Sequence, residues 1–119
     1  MRLPVHCLAF ATALVAAFPA AAQNYPVRPV RMIVPFAAGG NTDITARAIG
    51  ARLSDVFGQQ IVVENRPGGA TNIGTELVAK APADGYTMLM GGATNAINMS
   101  TQAKPPYDTL RDFARSYCA

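Results

Sequence analysis

The sequence predicts an α/β fold with parallel strands, and three observations carry that prediction. Short apolar, β-branched runs recur at Val30–Val34, 61–64 and 86–90. Each runs into a glycine pair followed by capping residue types: Gly39-Gly40-Asn41-Thr42-Asp43, Gly68-Gly69-Ala70-Thr71-Asn72 and Gly91-Gly92-Ala93-Thr94-Asn95. Two segments of helical periodicity separate the runs. Strand, loop and helix repeated within about sixty residues imply parallel strands joined by right-handed crossovers. The three glycine loops then share the carboxyl edge of the sheet, where open α/β sheets bind ligands.

The chain has 119 residues, and its first 22 read as a secretory leader. Arg2 supplies a minimal positive start, residues 8–18 are apolar and uncharged, and Ala20-Ala21-Ala22 precede Gln23 as a cleavage site. The apolar run falls short of the roughly 20 residues a bilayer span needs. Cleavage between Ala22 and Gln23 leaves 97 of the 119 residues, one small domain at most, exported to the periplasm.

His6, the only histidine, and Cys7 leave with the leader, so the mature chain keeps Cys118 alone. That excludes a Ser-His-Asp triad, a Cys-His pair, an ordinary zinc site and an internal disulfide. No catalysis, metal or cofactor is expected. The net charge of +3 is small, and no basic stripe with interleaved aromatics suggests nucleic acid.

Tyr25-Pro26-Val27-Arg28-Pro29 reads as an extended lead-in. Pro35 ends the first strand, because it cannot continue a sheet ladder. From residue 42 to 57 the pattern is helical, with Ala46, Ile49, Leu53, Val56 and Phe57 on one face and Arg47, Ser54 and Asp55 on the other. Gly50 weakens that helix by about 1 kcal/mol and is expected to pack closely on the sheet. Gly58 is placed to stop it. A second helix follows the second loop, with Ile73, Leu77 and Ala81 on one face and a Glu76 and Lys80 pair, and Pro82 with Asp84-Gly85 ends it. Glu64 reads as a sheet-end carboxylate, Asp84 as a turn former and Arg66 as either a ligand clamp or a brace for its own loop. After Asn95 the pattern fades: 97–99 and 104–107 read as loop, and 108–113 as one capped helical turn.

The glycine loops lack the lysine of a Walker P-loop and the G-x-G-x-x-G of a dinucleotide site. They suit an anion instead, since exposed amides and the helix dipole favour a carboxylate or phosphate.

Taken together, the leader, Tyr25-Pro26-x-x-Pro29, Ile33-Val34-Pro35-Phe36-Ala37-x-Gly39-Gly40-x-Thr42-Asp43, Val63-Glu64-Asn65-Arg66-Pro67-Gly68, Asn72-Ile73-Gly74, Ala83-Asp84-Gly85-Tyr86-Thr87 and Pro106-Tyr107-Asp108-x-Leu110-Arg111-Asp112-Phe113 resemble the Bug family. These are extracytoplasmic solute-binding receptors of tripartite tricarboxylate transporters. The resemblance implies a two-lobed, Venus-flytrap receptor of the type II periplasmic-binding class, of which this chain would hold a parallel βαβαβ part of lobe 1, truncated. It implies capture of a small organic carboxylate (a di- or tricarboxylate, an amino acid or an aromatic acid) for membrane subunits of the transporter. It points to Phe36, Gly39, Gly40, Asn41, Thr42 and Asp43 in the first loop, and to Gly91, Ala93, Thr94 and Asn95 in the third. Asp43 is expected to bond its own helix start or loop N–H groups, because a carboxylate repels a carboxylate ligand.

Two lobes need on the order of 250 to 300 residues. The partial lobe is expected over 23–114, with 115–119 as a tail outside the family pattern, as a frame shift or premature stop would leave. Binding by the chain as written is expected to be weak or absent. One rival reading is a truncated remnant that does not fold stably; another is a small flavodoxin-like nucleotide or flavin binder.

Overall fold

The computed structural model describes residues 25–113. The leader, its Ala22 and Gln23 cleavage site, and the 115–119 tail with Cys118 lie outside the described residues. Within them, β1 (Val30–Val34), β2 (Ile61–Asn65) and β3 (Thr87–Leu89) form a three-stranded sheet in the order β2-β1-β3, with both pairings parallel. Helices α1 (Asn41–Phe57) and α2 (Asn72–Ala79) make the crossovers. With β1 central, right-handed crossovers put the two helices on opposite faces. α1 packs on β1 and β2, and α2 on β1 and β3.

β1 is therefore the buried strand. Val30, Met32 and Val34 pack with Ala46 of α1 and Ile61 of β2, while Ile33 points to the other face and is fully buried. Arg31 shares the face of Ile33 but lies where α2 does not reach. There it makes a two-point ion pair with Glu64 of β2, Nε to Oε1 at 2.9 Å and Nη2 to Oε2 at 3.0 Å.

The helices keep part of the expected faces, with Ala46 and Leu53 of α1 packing on the core, and depart from the rest. On α1 the buried residues are Asp43, Ala46 and Gly50, whereas Ile49, Val56 and Phe57 are exposed. The cause is Gly50: a Cβ there would lie 3.4 Å from Val63 Cγ2 and 3.5 Å from Ile61 Cγ2, so the helix meets the sheet along its smallest residues. This rotation also turns Ser54 inward, where its hydroxyl accepts the Ile61 N–H at 2.9 Å and donates to the Gly50 carbonyl. On α2 the buried residues are Gly74 and Thr75, and Ile73 is exposed. Gly58, in the left-handed region at φ 63°, stops α1, and Glu76 pairs with Lys80.

The segment expected as loop at 97–99 is instead inside a third helix, α3 (Ala93–Thr101). Its buried residues are polar, Asn95 and Asn98. The expected turn at 108–113 is present, closed by the Asp112 N–H on the Asp108 carbonyl at 2.8 Å.

Candidate functional site

Three loops leave the carboxyl ends of β1, β2 and β3 on one edge of the sheet. The first opens α1. Gly40 is the residue before that helix and offers no side chain to cap it, so among the described residues the N–H groups of Asn41 and Thr42 have no protein acceptor. These amides, at the positive end of a 17-residue helix, are donors available to an anion.

The loop itself is held from below. Asp43, buried on the third position of α1, accepts the Gly39 N–H at 2.8 Å. Arg47 Nε, one turn further, donates to the same carboxylate at 3.1 Å. The Gly39 N–H first, then Arg47 and Asn65, hold the Asp43 carboxyl down at about 2, against the opposing effect of burial. Asp43 is thereby committed to its own loop and is not offered to a ligand.

The other loops are tied to the first. A Cβ on Gly92 would lie 3.6 Å from Phe36 Cζ, so the Phe36 ring lies against the third loop. A Cβ on Gly74 would lie 2.8 Å from the Arg66 carbonyl oxygen and 2.9 Å from Pro35 Cβ, so only glycine lets α2 approach both loops. The second loop carries Ala70 and Thr71 with φ 53° and 76°, a left-handed pair rare for residues other than glycine. Asn98 of α3 holds them, its amide donating to the Ala70 carbonyl and, at 3.1 Å, to Asn72 Oδ1.

Of the third-loop residues, Gly91 and Ala93 are exposed and Thr94 is half-buried. Asn95 is different. Its side chain is buried and used at both ends, Oδ1 accepting the Gly92 N–H at 2.9 Å and Nδ2 donating to Thr75 Oγ1 at 2.6 Å. It shapes the loop from within. Arg66 donates to Glu64 at 3.3 Å, and Asp84 accepts the Tyr86 N–H and pairs with Arg28. Glu64, bonded first by Arg31 and then by Arg66, sits below the usual carboxylate range.

Sequence reasoning assigned no site role to Arg47, Asn65, Thr71, Thr75 or Asn98. Their partners lie 18 to 29 residues away or one helical turn away, and side-chain amides and hydroxyls carry no periodic signal.

A cleft of about 730 Å³ runs down the flank of β3, lined by Val78, Ala81, Leu89, Thr109 and Phe113 and touching the third loop at Gly91 and Asn95. Among the described residues no first-loop residue borders it, and its lining includes no Lys or Arg. Its chemistry is apolar, so the anion donors of the loop edge, not this cleft, form the candidate site.

The family model described as tripartite tricarboxylate transporter family receptor matches residues 45–116. The chain is 46% identical over 104 residues to Protein BugT of Bordetella pertussis, which is 86% of this chain and 32% of that protein. It thus spans about a third of the length of that curated relative. Among solved structures, a periplasmic transporter matches with TM-score 0.67 and 41% identity over 71% of this chain and 29% of its own. Rpa4515 of R. palustris with adipate gives 0.54 and 52%, and MatC of Rhodopseudomonas palustris with bound malate gives 0.53 and 43%. Each covers 55% of this chain and 22% of the matched one.

Proposed function

The chain belongs to the tripartite tricarboxylate transporter receptor family, and on that premise we propose that it is the ligand-holding edge of an exported receptor for a small carboxylate. The observation that carries the reading is the open start of α1: among the described residues the Asn41 and Thr42 N–H groups have no protein acceptor, beside a third loop held close by Phe36. Adipate and malate, named with the similar structures, are acids such donors suit. In this reading residues 1–22 direct the chain to the periplasm, 23–114 are part of a first lobe, and membrane subunits of a transporter receive the solute. The family match extends two residues beyond 114. Binding, not turnover, is the activity.

The first loop supplies the amides of Asn41 and Thr42, and Gly39 and Gly40 let the backbone turn to present them. Gly91, Ala93 and Thr94 face the same edge from the third loop, with Asn95 and Asp43 as internal supports. A helix terminus contributes about 0.3 to 2 kcal/mol toward an anion, and a hydrogen bond to a charged group about 1.5 to 3 kcal/mol. A few such contacts total close to the roughly 4 kcal/mol of millimolar affinity. Weak binding is therefore expected from these loops alone.

An NMR titration of the leader-free chain with malate and with adipate tests this, with dimethyl malate as the uncharged control. Amide shifts at 39–43 and 91–94 with midpoints at about millimolar acid, absent with the ester, are the expected result. Shifts confined to the β3 cleft, or none at either loop, would refute it.

A further inference from the structure

We infer that Asn65, the last residue of β2, is the positioning residue that holds the first loop in its ligand-ready shape, an inference that rests on the carboxylate-binding reading above. Asn65 stands in register with Val34, the residue at which β1 gives way to the loop. Its side chain is bonded at every polar group. Nδ2 donates to the Phe36 carbonyl at 3.2 Å and to Asp43 Oδ1 at 3.0 Å, and Oδ1 accepts from Arg47 Nη2 at 3.1 Å.

The partners fix both the amide's orientation and the residue type. A carbonyl and a carboxylate only accept, and a guanidinium only donates, so the position demands two donors and one acceptor within one short side chain. Asparagine meets that demand. Aspartate would place a second acceptor 3.0 Å from Asp43 and leave the Phe36 carbonyl without its donor. Alanine or leucine would remove all three bonds and leave the Phe36 carbonyl without its side-chain donor. The consequence reaches the loop at two points, because Phe36 begins it and Asp43, through the Gly39 N–H, governs its turn. Asn65 thus links the end of β2 to both ends of the segment whose amides receive the anion, without facing the anion itself.

The test uses the leader-free chain, its Asn65→Ala variant and the near-isosteric Asn65→Asp variant. Amide hydrogen exchange is followed at Gly39 and, as a fold control, at Met32 and Ile33 in β1; malate and adipate are titrated by NMR. The expected result is at least tenfold faster exchange at Gly39 and at least tenfold weaker binding of both acids, with β1 exchange unchanged. The double variant Asp43→Asn with Asn65→Asp, which restores one donor facing one acceptor, recovers part of both losses. A general loss of packing would speed β1 exchange too and would not be recovered by the exchange of side chains, so that pattern overturns the inference. Unchanged Gly39 exchange, or faster exchange with unchanged affinity, overturns it as well. Should Asn65→Ala fail to fold, Asn65→Asp decides by the same readings. If the wild-type chain takes up neither acid, the carboxylate reading falls, while Gly39 exchange in the variants still upholds or overturns the brace.

Discussion

Asp43 illustrates how a residue of a glycine loop can spend its carboxylate on the loop itself. Three donors converge on its carboxylate, and they are lost to it once it is protonated or replaced. Its folded value of about 2 lies below the ordinary 3.8. The carboxylate therefore contributes stability that is fully present above the ordinary value and drains away as pH falls through the interval between 3.8 and 2. The Gly39 amide resonance is expected to hold its bonded position at pH 3 and to titrate near pH 2, and Asp43→Asn should abolish that titration. A Gly39 midpoint close to pH 4 would mean that the donors do not hold the carboxylate. The sequence made part of this legible: a carboxylate beside an expected anion pointed to loop N–H groups by charge alone. It did not make Asn65 legible, because the bond from β2 to the loop exists only once β1 and β2 pair in register.

At the scale of elements, strands were readable and helix faces only in part, Ala46 and Leu53 meeting the core as expected. β1, β2 and β3 lie within a residue of the runs marked by β-branched and apolar side chains, since a buried parallel strand has a continuous apolar signature. α1 lies where its periodicity put it, but glycine and alanine, which hydrophobic patterning ranks low, decide which side meets the sheet. α3 was missed for a related reason. Its buried side chains are Asn95 and Asn98, and a helix that buries amides has no apolar stripe to read. Asn98 holds the strained second loop, so Asn98→Ala takes the donor from the Ala70 carbonyl and from Asn72 Oδ1. Ala70 is exposed and Asn72 half-buried, so water reaches both acceptors, and a lost hydrogen bond of this kind costs about 0.5 to 1.5 kcal/mol net. Chemical denaturation of Asn98→Ala should show a loss in that range, together with faster exchange at 70–72. A variant as stable as the parent, with those amides equally protected, would show that the left-handed pair at Ala70 and Thr71 stands without α3.

The molecule as a whole gathers its three glycine loops on one edge and its stability in one strand. β1 alone is paired on both sides and covered on both faces, and Ile33 is its fully buried residue on the α2 side. β2 and β3 each keep one edge unpaired among the described strands, and the apolar cleft runs beside the free edge of β3. So small a sheet has little reserve, because a domain of this size stands at roughly 5 to 15 kcal/mol over its unfolded state. Ile33→Ala removes buried contacts on the α2 face and should cost about 2 to 5 kcal/mol. If the loops are held by a folded domain, circular dichroism of the leader-free chain will show one sigmoidal melt, and Ile33→Ala will lower its midpoint by about 8 °C or more, at the ~4 to 8 °C per kcal/mol typical of this size. A broad, featureless thermal profile in the parent, indifferent to Ile33→Ala, would instead identify the chain as a remnant without a cooperative core. The loop geometry would then have no scaffold, since each brace described above spans two elements and exists only while the sheet does. Carboxylate binding and cooperative melting therefore stand or fall in one direction: a chain that melts cooperatively can still fail to bind, but one that binds through 39–43 and 91–94 must also melt.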